Sequence, residues 1–148
     1  MKKRVLILGG RGRIGQSVAQ DMINFTPEVE ITITGRKPFQ SKPFVDSRME
    51  FLELDLADKN KLISAISSVD LVIHCAGPFH YRDAGVLELC IEAGVNYIDV
   101  SDNHSFTLKA LNHKEAAQKQ GITAIINTGI FPGISNSLVR LGVEQLDQ

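Results

Sequence analysis

The chain has 148 residues, of which 43% are hydrophobic and 22% are charged, and its formal net charge is -1. This length suits one domain with its own core, and so small a charge excludes a bulk electrostatic attraction to nucleic acid or an anionic membrane. No apolar run approaches the roughly 20 residues that cross a bilayer, so we expect a cytoplasmic protein without membrane or nucleic-acid partners. Cys75 and Cys90 lack metal-site spacing, so we expect free core thiols and no bound metal.

Strands and helices alternate along the chain. The first strand is predicted at Val5–Leu8, a continuous apolar run typical of a strand buried on both faces. The next element is a helix that ends near Thr26-Pro27, because apolar residues recur at helical spacing from Ile14 to Ile23. The remaining predicted strands are Val29–Thr34, Met49–Leu54, Asp70–Cys75, Val95–Val100 and Ile122–Asn127, and the remaining helices are Asp58–Ser67, Ala84–Ala93, Phe106–Gln120 and Ser135–Leu146.

This alternation predicts an α/β fold of the Rossmann type. Successive strand–helix–strand units give a doubly wound, mainly parallel sheet of six strands between two layers of helices. Ligands of such sheets bind beyond the carboxyl ends of the strands. We therefore expect the functional residues at those ends.

The first strand leads into a glycine-rich turn that is typical of dinucleotide binding. Glycines allow a tight turn and a close approach of the backbone to a pyrophosphate, and the next helix offers free N–H groups to it. The alternative is a turn without a ligand, in which two arginines would be unusual choices. The turn is Gly9-Gly10-Arg11-Gly12-Arg13-Ile14-Gly15, and it fits G-x-G-x-x-G through Gly10, Gly12 and Gly15.

The end of the second strand favours NADP(H) over NAD(H). An NAD site usually has a carboxylate about 20 residues past the glycines, where it bonds the ribose 2′-hydroxyl. This chain has Arg36 and Lys37 there instead, and Arg11 or Arg13 could converge from the turn. A 2′-phosphate prefers such cationic partners. The alternative is that Arg36 and Lys37 belong to a solvated loop.

The third and fourth strand ends complete the predicted cofactor site. Asp55 and Leu56 suit an adenine, although Asp55 could instead cap the following helix, a role that Asp58 fits better. The small residues Ala76 and Gly77, with Pro78 beside them, would let the backbone pass close to the ribose and nicotinamide. Phe79 would shield a ring face.

Candidates for acid–base chemistry lie at the fourth and fifth strand ends, and the sequence does not choose among them. His74 stands within a strand and is expected to be a core residue. Asp102 or Asn103 could instead cap the next helix. The candidates are His80, Tyr81, Asp99, Ser101, Asp102 and His104.

Five segments carry a resemblance to a known family. They are Val5–Gly15, Gly35-Arg36, Cys75-Ala76-Gly77-Pro78-Phe79, Asn96-Tyr97-Ile98-Asp99 and Gly129-Ile130-Phe131-Pro132-Gly133-Ile134-Ser135-Asn136. Together they resemble the N-terminal NADP-binding domain of the saccharopine dehydrogenase/reductase-like oxidoreductases, over nearly the whole chain. The last segment is the most distinctive, since in this family it leads out of the nucleotide domain.

The resemblance implies a nicotinamide-dependent oxidoreductase that acts on C–N bonds or related carbon centres of a small-molecule substrate. It also implies a further, substrate-binding domain that the 148 residues do not include. Residues 1–148 would then be the dinucleotide-binding domain alone, with the substrate held mainly elsewhere. We expect such a fragment to bind NADPH and to show little turnover.

Two other functions compete with this interpretation. A short-chain dehydrogenase needs a Tyr-x-x-x-Lys pair, but Gly85 and Ser101 stand four residues after Tyr81 and Tyr97, so that mechanism is excluded. A non-catalytic NADP-binding sensor or interaction domain explains the same glycines and arginines and stays open. A homodimer is compatible with the sequence, which does not determine the oligomeric state.

Overall fold

The computed structural model describes residues 2–37, 46–129 and 134–146. The strands are β1 (Lys3–Leu8), β2 (Val29–Gly35), β3 (Met49–Glu53), β4 (Leu71–His74), β5 (Asn96–Asp99) and β6 (Ala124–Ile125). The helices are α1 (Arg13–Phe25), α2 (Lys59–Ser67), α3 (Gly85–Ala93), α4 (His104–Leu111), α5 (Lys114–Gln120) and α6 (Ile134–Leu146), and a short 3-10 helix spans Phe79–Tyr81. None of these described helices is both long and apolar enough to span a bilayer.

The strands form one parallel sheet in the order β3-β2-β1-β4-β5-β6, which confirms the predicted Rossmann-type fold. β1 lies between β2 and β4, so that Val5 is opposite Ile31 on one side and Leu71 on the other. The strand order reverses at β1. The connections that leave the carboxyl ends of β1 and β4 therefore diverge and open a crevice between them.

β1 is apolar on both faces because helices cover both faces of the sheet. Val5 and Ile7 pack in one core with α1, whereas Leu6 and Leu8 pack in a second core with α2 and α3. Each of these four side chains is at most 2% exposed. Full burial of an aliphatic side chain stabilises a fold by about 1.5–3 kcal/mol, so this short strand anchors all three layers.

The predicted helix Phe106–Gln120 was wrong as one element: it is two helices, α4 and α5. The N–H groups of Asn112 and His113 bond carbonyls three residues back, a tight turn that ends α4. His113 then contacts Glu88 of α3, with 3.3 Å between Nε2 and Oε1. Asn and His are weak helix formers, which favours a break here that the apolar spacing did not indicate.

The last strand is also shorter than predicted. Only Ala124 and Ile125 pair with β5, opposite Tyr97 and Ile98, whereas the prediction ran from Ile122 to Asn127. Asn127 has a φ of 58°, a left-handed conformation that leaves the extended backbone of the strand. The other elements begin and end within three residues of their predicted bounds.

Candidate functional site

A groove of about 470 Å³ lies at the carboxyl edge of the sheet, where β1, β2, β3 and β4 end. Four separate parts of the chain build it, together with one side chain from the loop after the short 3-10 helix. The lining residues are Gly9, Arg11, Gly12, Thr34, Gly35, Arg36, Leu54, Asp55, Leu56, Cys75, Ala76, Gly77, Pro78 and Arg82.

The glycine turn forms the floor of this groove. Gly9 has a φ of 75°, and a Cβ there would lie 2.8 Å from the Ala76 Cα at the end of β4. The Gly9 N–H donates to Thr34 Oγ1 at 3.2 Å, which ties the end of β1 to the end of β2. Only glycine allows both the left-handed turn and this close contact, so the backbone lies bare where a ligand would rest.

Helix α1 points its N-terminus into the groove. Gly12 caps the helix without any side-chain hydrogen bond, and its first turn has no acidic residue. The first N–H groups of this 13-residue helix therefore have no anionic partner from their own turn. A helix end of this kind carries a partial positive charge and suits a phosphate group.

Two arginines line the end of β2. Arg11 crosses over Gly35, where a Cβ would lie 2.5 Å from Arg11 Cδ, and its Nη1 donates a hydrogen bond to the carbonyl of Lys37. Arg36 is exposed, and within the described ranges its guanidinium makes no hydrogen bond or ion pair. Lys37 contributes that backbone carbonyl but does not line the groove. The end of β2 is thus cationic and has no carboxylate, as an acceptor of a 2′-phosphate requires.

Asp55 and Leu56 line the wall formed by the end of β3. Asp55 Oδ1 accepts from the Ala57 N–H at 3.0 Å, whereas Asp58 caps α2 by accepting from the Lys61 N–H at 3.1 Å. The capping role thus belongs to Asp58. Asp55 is exposed and keeps its second carboxylate oxygen available to a ligand.

A second pocket of about 280 Å³ adjoins the groove and shares Cys75, Gly77 and Pro78 with it. It brings His80 and Asp102, two of the acid–base candidates, to the same cavity. Its other lining residues are Ile14, Phe79, Val100 and Asn103. The side chain of Asn103 caps α4 by accepting from the Phe106 N–H at 2.9 Å, which leaves the exposed Asp102 available.

The other candidates at these strand ends lie elsewhere. Asp99 and Ser101 are fully buried, and Asp99 Oδ1 accepts from the Ser101 N–H at 3.0 Å and the Asn127 N–H at 2.9 Å. Burial raises the pKa of Asp99, against the effect of these hydrogen bonds. Tyr81 and His104 are exposed outside the second pocket. Solvent and substrate do not reach Asp99 and Ser101, so these two serve the architecture of the strand end.

His74 is a core residue, as expected. It is 1% exposed, and its Nδ1 lies 3.0 Å from the hydroxyl of Tyr97 on β5. Nε2 is buried and has no hydrogen-bond partner in the described part of the chain. Burial, followed by the charge of Arg82, lowers the pKa of His74 to about 4, so the ring is neutral at physiological pH.

Phe79 differs from its predicted role. It is 7% exposed, and its ring centroid lies 5.0 Å from those of both His74 and Phe106. Such edge-to-face packing makes it mainly a core residue that leaves little area toward the second pocket. Cys75 and Cys90 are free, and burial raises the pKa of the Cys75 thiol to about 11, which keeps it neutral.

The structure brings most of the residues predicted for the cofactor site to the groove or to the second pocket. The predicted residues that line the groove are Gly9, Arg11, Gly12, Arg36, Asp55, Leu56, Ala76, Gly77 and Pro78. The second pocket adds Ile14 and Phe79. The predicted residues that line neither cavity are Gly10, Arg13, Gly15 and Lys37. Sequence reasoning missed Thr34, Gly35, Leu54, Cys75 and Arg82. The first four adjoin predicted residues, which could have pointed to them. No pattern pointed to Arg82, and residues 130–133 of the Pro-Gly segment lie outside the described residues.

Known proteins are similar to this chain in sequence. Residues 5–125 match the family described as the saccharopine dehydrogenase NADP binding domain. A probable mitochondrial saccharopine dehydrogenase-like oxidoreductase of Arabidopsis thaliana is 23% identical over 133 residues, covering 79% of this chain and 29% of the relative. The saccharopine dehydrogenase-like oxidoreductase of Homo sapiens is 28% identical over 89 residues, covering 60% of this chain and 21% of the relative.

A solved structure has the same fold. Apo histidine-tagged saccharopine dehydrogenase (L-Glu forming) from Saccharomyces cerevisiae superposes with a TM-score of 0.73 at 21% identity, over 97% of this chain and 31% of that chain. The chain thus spans about a fifth to a third of the length of these three proteins. The groove fits a dinucleotide phosphate, and the matching residues 5–125 make up most of the chain. The chain therefore belongs to the saccharopine dehydrogenase NADP binding domain family, which confirms both the resemblance and NADP(H) as its cofactor.

Proposed function

We propose that this chain is the cofactor-binding part of an NADP-dependent oxidoreductase whose substrate is held mainly by a further domain. The observation that carries the proposal is the groove, in which a bare glycine turn, a free helix N-terminus and two arginines meet at the switch point of the sheet. When bound there, NADP(H) supplies or accepts a hydride. The chain's own residues bind and orient the reactants.

Two parts of the groove have distinct binding roles in this proposal. The turn at Gly9 and Gly12 and the N-terminus of α1 hold the pyrophosphate through backbone N–H groups. Arg36 binds the 2′-phosphate, and Arg11, held by the Lys37 carbonyl, adds a second positive charge beside it.

The second pocket is the proposed place of the nicotinamide and of the reacting atoms. Its wall is shared with the groove, so a dinucleotide in the groove can extend into it. Ile14 and Pro78 contribute apolar surface to its lining. His80 or Asp102 is the group that exchanges a proton with the substrate, since both are exposed in this pocket.

Substrate class and cellular context are inferred from the relatives. The relatives are named saccharopine dehydrogenase-like oxidoreductases, which supports an oxidoreductase of a small molecule, and the family resemblance adds a C–N bond or a related carbon centre as its target. The alternative, a non-catalytic NADP sensor, has less support because the second pocket collects two groups capable of acid–base chemistry. A cytoplasmic location and a homodimer stay predictions, and the Arabidopsis relative is described as mitochondrial.

Cofactor titration tests the proposal. The chain is titrated with NADPH and with NADH, and binding is followed by the fluorescence of the reduced nicotinamide. We expect NADPH to bind about 10- to 100-fold more tightly, because charge-assisted hydrogen bonds to the 2′-phosphate are available only to it. Equal or tighter binding of NADH would overturn the assignment of Arg11 and Arg36.

A further inference from the structure

Arg82 stands at a boundary that the cofactor assignment leaves unexplained. It lines the groove, and it also lines a neighbouring cavity of about 350 Å³ between α2 and α3. The two cavities share Asp55, Leu56 and Arg82. These three residues therefore form the end of the groove that lies against β3, away from the second pocket.

The backbone of Arg82 is held on two sides. Its N–H donates to the Phe79 carbonyl at 3.0 Å, and its own carbonyl accepts from Lys109 Nζ at 3.2 Å. Phe79 is a core residue and Lys109 belongs to α4, so the loop is tied both to the core and to a helix. The base of the Arg82 side chain is thus fixed at the rim of the groove.

The guanidinium of Arg82 is not paired with any residue that the structure describes. The residue is partly buried, yet across the described residues its guanidinium makes no hydrogen bond or ion pair, even with Asp55 of the same cavity wall. A partly desolvated cation without a partner is unfavourable, and a ligand that contacts it would offset that cost.

The position of Arg82 selects the kind of ligand group. The phosphate-binding features lie elsewhere, at the glycine turn and at Arg36, whereas Arg82 shares its wall with the apolar side chain of Leu56. An apolar wall beside a planar guanidinium suits a flat aromatic ring, because guanidinium groups stack on ring faces. On the basis of the proposed function, we propose that Arg82 stacks on the adenine of the cofactor and determines its affinity.

Ligand binding to matched variants tests this role. Arg82→Ala, Arg82→Lys and Arg82→Tyr are compared with the wild-type chain by isothermal titration with NADPH and with 2′,5′-ADP, which keeps the adenine but lacks the nicotinamide. Lys61→Ala is the control, since Lys61 is an exposed cation of α2 that lines neither cavity nor groove. Thermal unfolding of each variant shows that the fold is intact.

Stacking predicts that Arg82→Ala weakens both ligands about 10-fold, a size typical of one base stacked on a flat side chain. Arg82→Tyr should keep most of the affinity because it keeps a flat surface without charge, and Arg82→Lys should lose most of it. The opposite order, with Lys retaining affinity and Tyr losing it, would mean an anion contact and would overturn the proposal. Unchanged affinity of Arg82→Ala overturns this inference alone, whereas a wild-type chain that fails to bind NADPH overturns the proposed function with it.

Discussion

The two arginines that line the groove at the end of β2 are held differently. Arg11 is fixed by the Lys37 carbonyl, whereas Arg36 makes no bond within the described parts of the chain. A ligand can therefore bind the guanidinium of Arg36 without breaking a contact inside the protein. Arg11 supplies a positive charge at a fixed place.

Replacing Arg36 with Ala should weaken NADPH binding about 10- to 100-fold and leave NADH binding nearly unchanged, because only NADPH carries the 2′-phosphate. Fluorescence titration with both reduced cofactors measures this. Lys37→Ala is the matched control: it removes a neighbouring cation whose side chain does not line the groove, and it should change NADPH affinity less than about twofold. A similar loss of both cofactors in Arg36→Ala would contradict the assignment.

Glycine at position 9 is required for two separate reasons, and a second glycine allows them to be separated. Gly9 and Gly121 have nearly equal φ angles, 75° and 76°, but a Cβ on Gly121 would meet nothing within 4 Å. Gly9→Ala adds an overlap with Ala76 to the backbone strain and should cost about 2–4 kcal/mol, whereas Gly121→Ala should cost about 1–2 kcal/mol. Urea unfolding of both variants measures the difference, and equal costs would show that the contact with Ala76 relaxes freely.

At the scale of elements, β4 and β5 are joined by a buried polar contact as well as by their ladder. His74 of β4 meets the Tyr97 hydroxyl of β5 inside the core. Both strands end at the second pocket, through Cys75 and Val100. The contact thus supports the two strand ends that carry the proposed reaction site.

Burial of His74 makes stability depend on pH. The pKa of His74 is lowered from 6.5 to about 4, so between these values the unfolded chain binds a proton that the folded chain does not. Above pH 7 this proton does not affect the free energy of unfolding. Between pH 6.5 and pH 4 the free energy of unfolding should fall by about 3 kcal/mol. Urea unfolding between pH 7 and pH 4 measures it. His74→Gln should lack this part of the decline, and an identical pH profile in that variant would contradict the assignment to His74.

At the scale of the whole molecule, the chain covers the nucleotide-binding share of longer relatives. It spans 29% of the Arabidopsis relative and 31% of the yeast saccharopine dehydrogenase chain. The groove opens at the edge of the sheet, and the second pocket holds only about 280 Å³. The proposed division of labour places the cofactor here and most substrate contacts on the remainder of the enzyme.

Residues 1–148 by themselves should therefore bind NADPH while they turn over substrate slowly. The measurement is NADPH oxidation at 340 nm in the presence of candidate imines and carbonyl–amine mixtures, compared with NADPH affinity of the same sample. Binding with negligible turnover is expected, since substrate positioning contributes a large part of the rate. Rapid turnover by these residues alone would contradict the proposed division.

Local patterns in the sequence were enough to predict the fold and the cofactor. Three local features carried these predictions: the apolar run of β1, the glycine turn and the arginine after β2. Each is a short stretch whose chemistry depends on its immediate neighbours. The spacing of apolar residues, the glycines of the turn and the absence of a carboxylate after β2 can all be read from the sequence without knowledge of the tertiary contacts. For that reason the order of elements and NADP(H) were predicted correctly, and strand ends shifted by only a few residues.

The tertiary structure alone decided which side chains share a cavity. It separated Arg36 from its neighbour Lys37, brought His80 and Asp102 into one pocket while burying Asp99, and divided the predicted helix at His113. It also placed Arg82 in the groove, although nothing in its local sequence distinguishes it from a loop residue. These outcomes depend on contacts between segments that are tens of residues apart in the sequence. Packing of the whole sheet and its helices determines which of these segments meet in space.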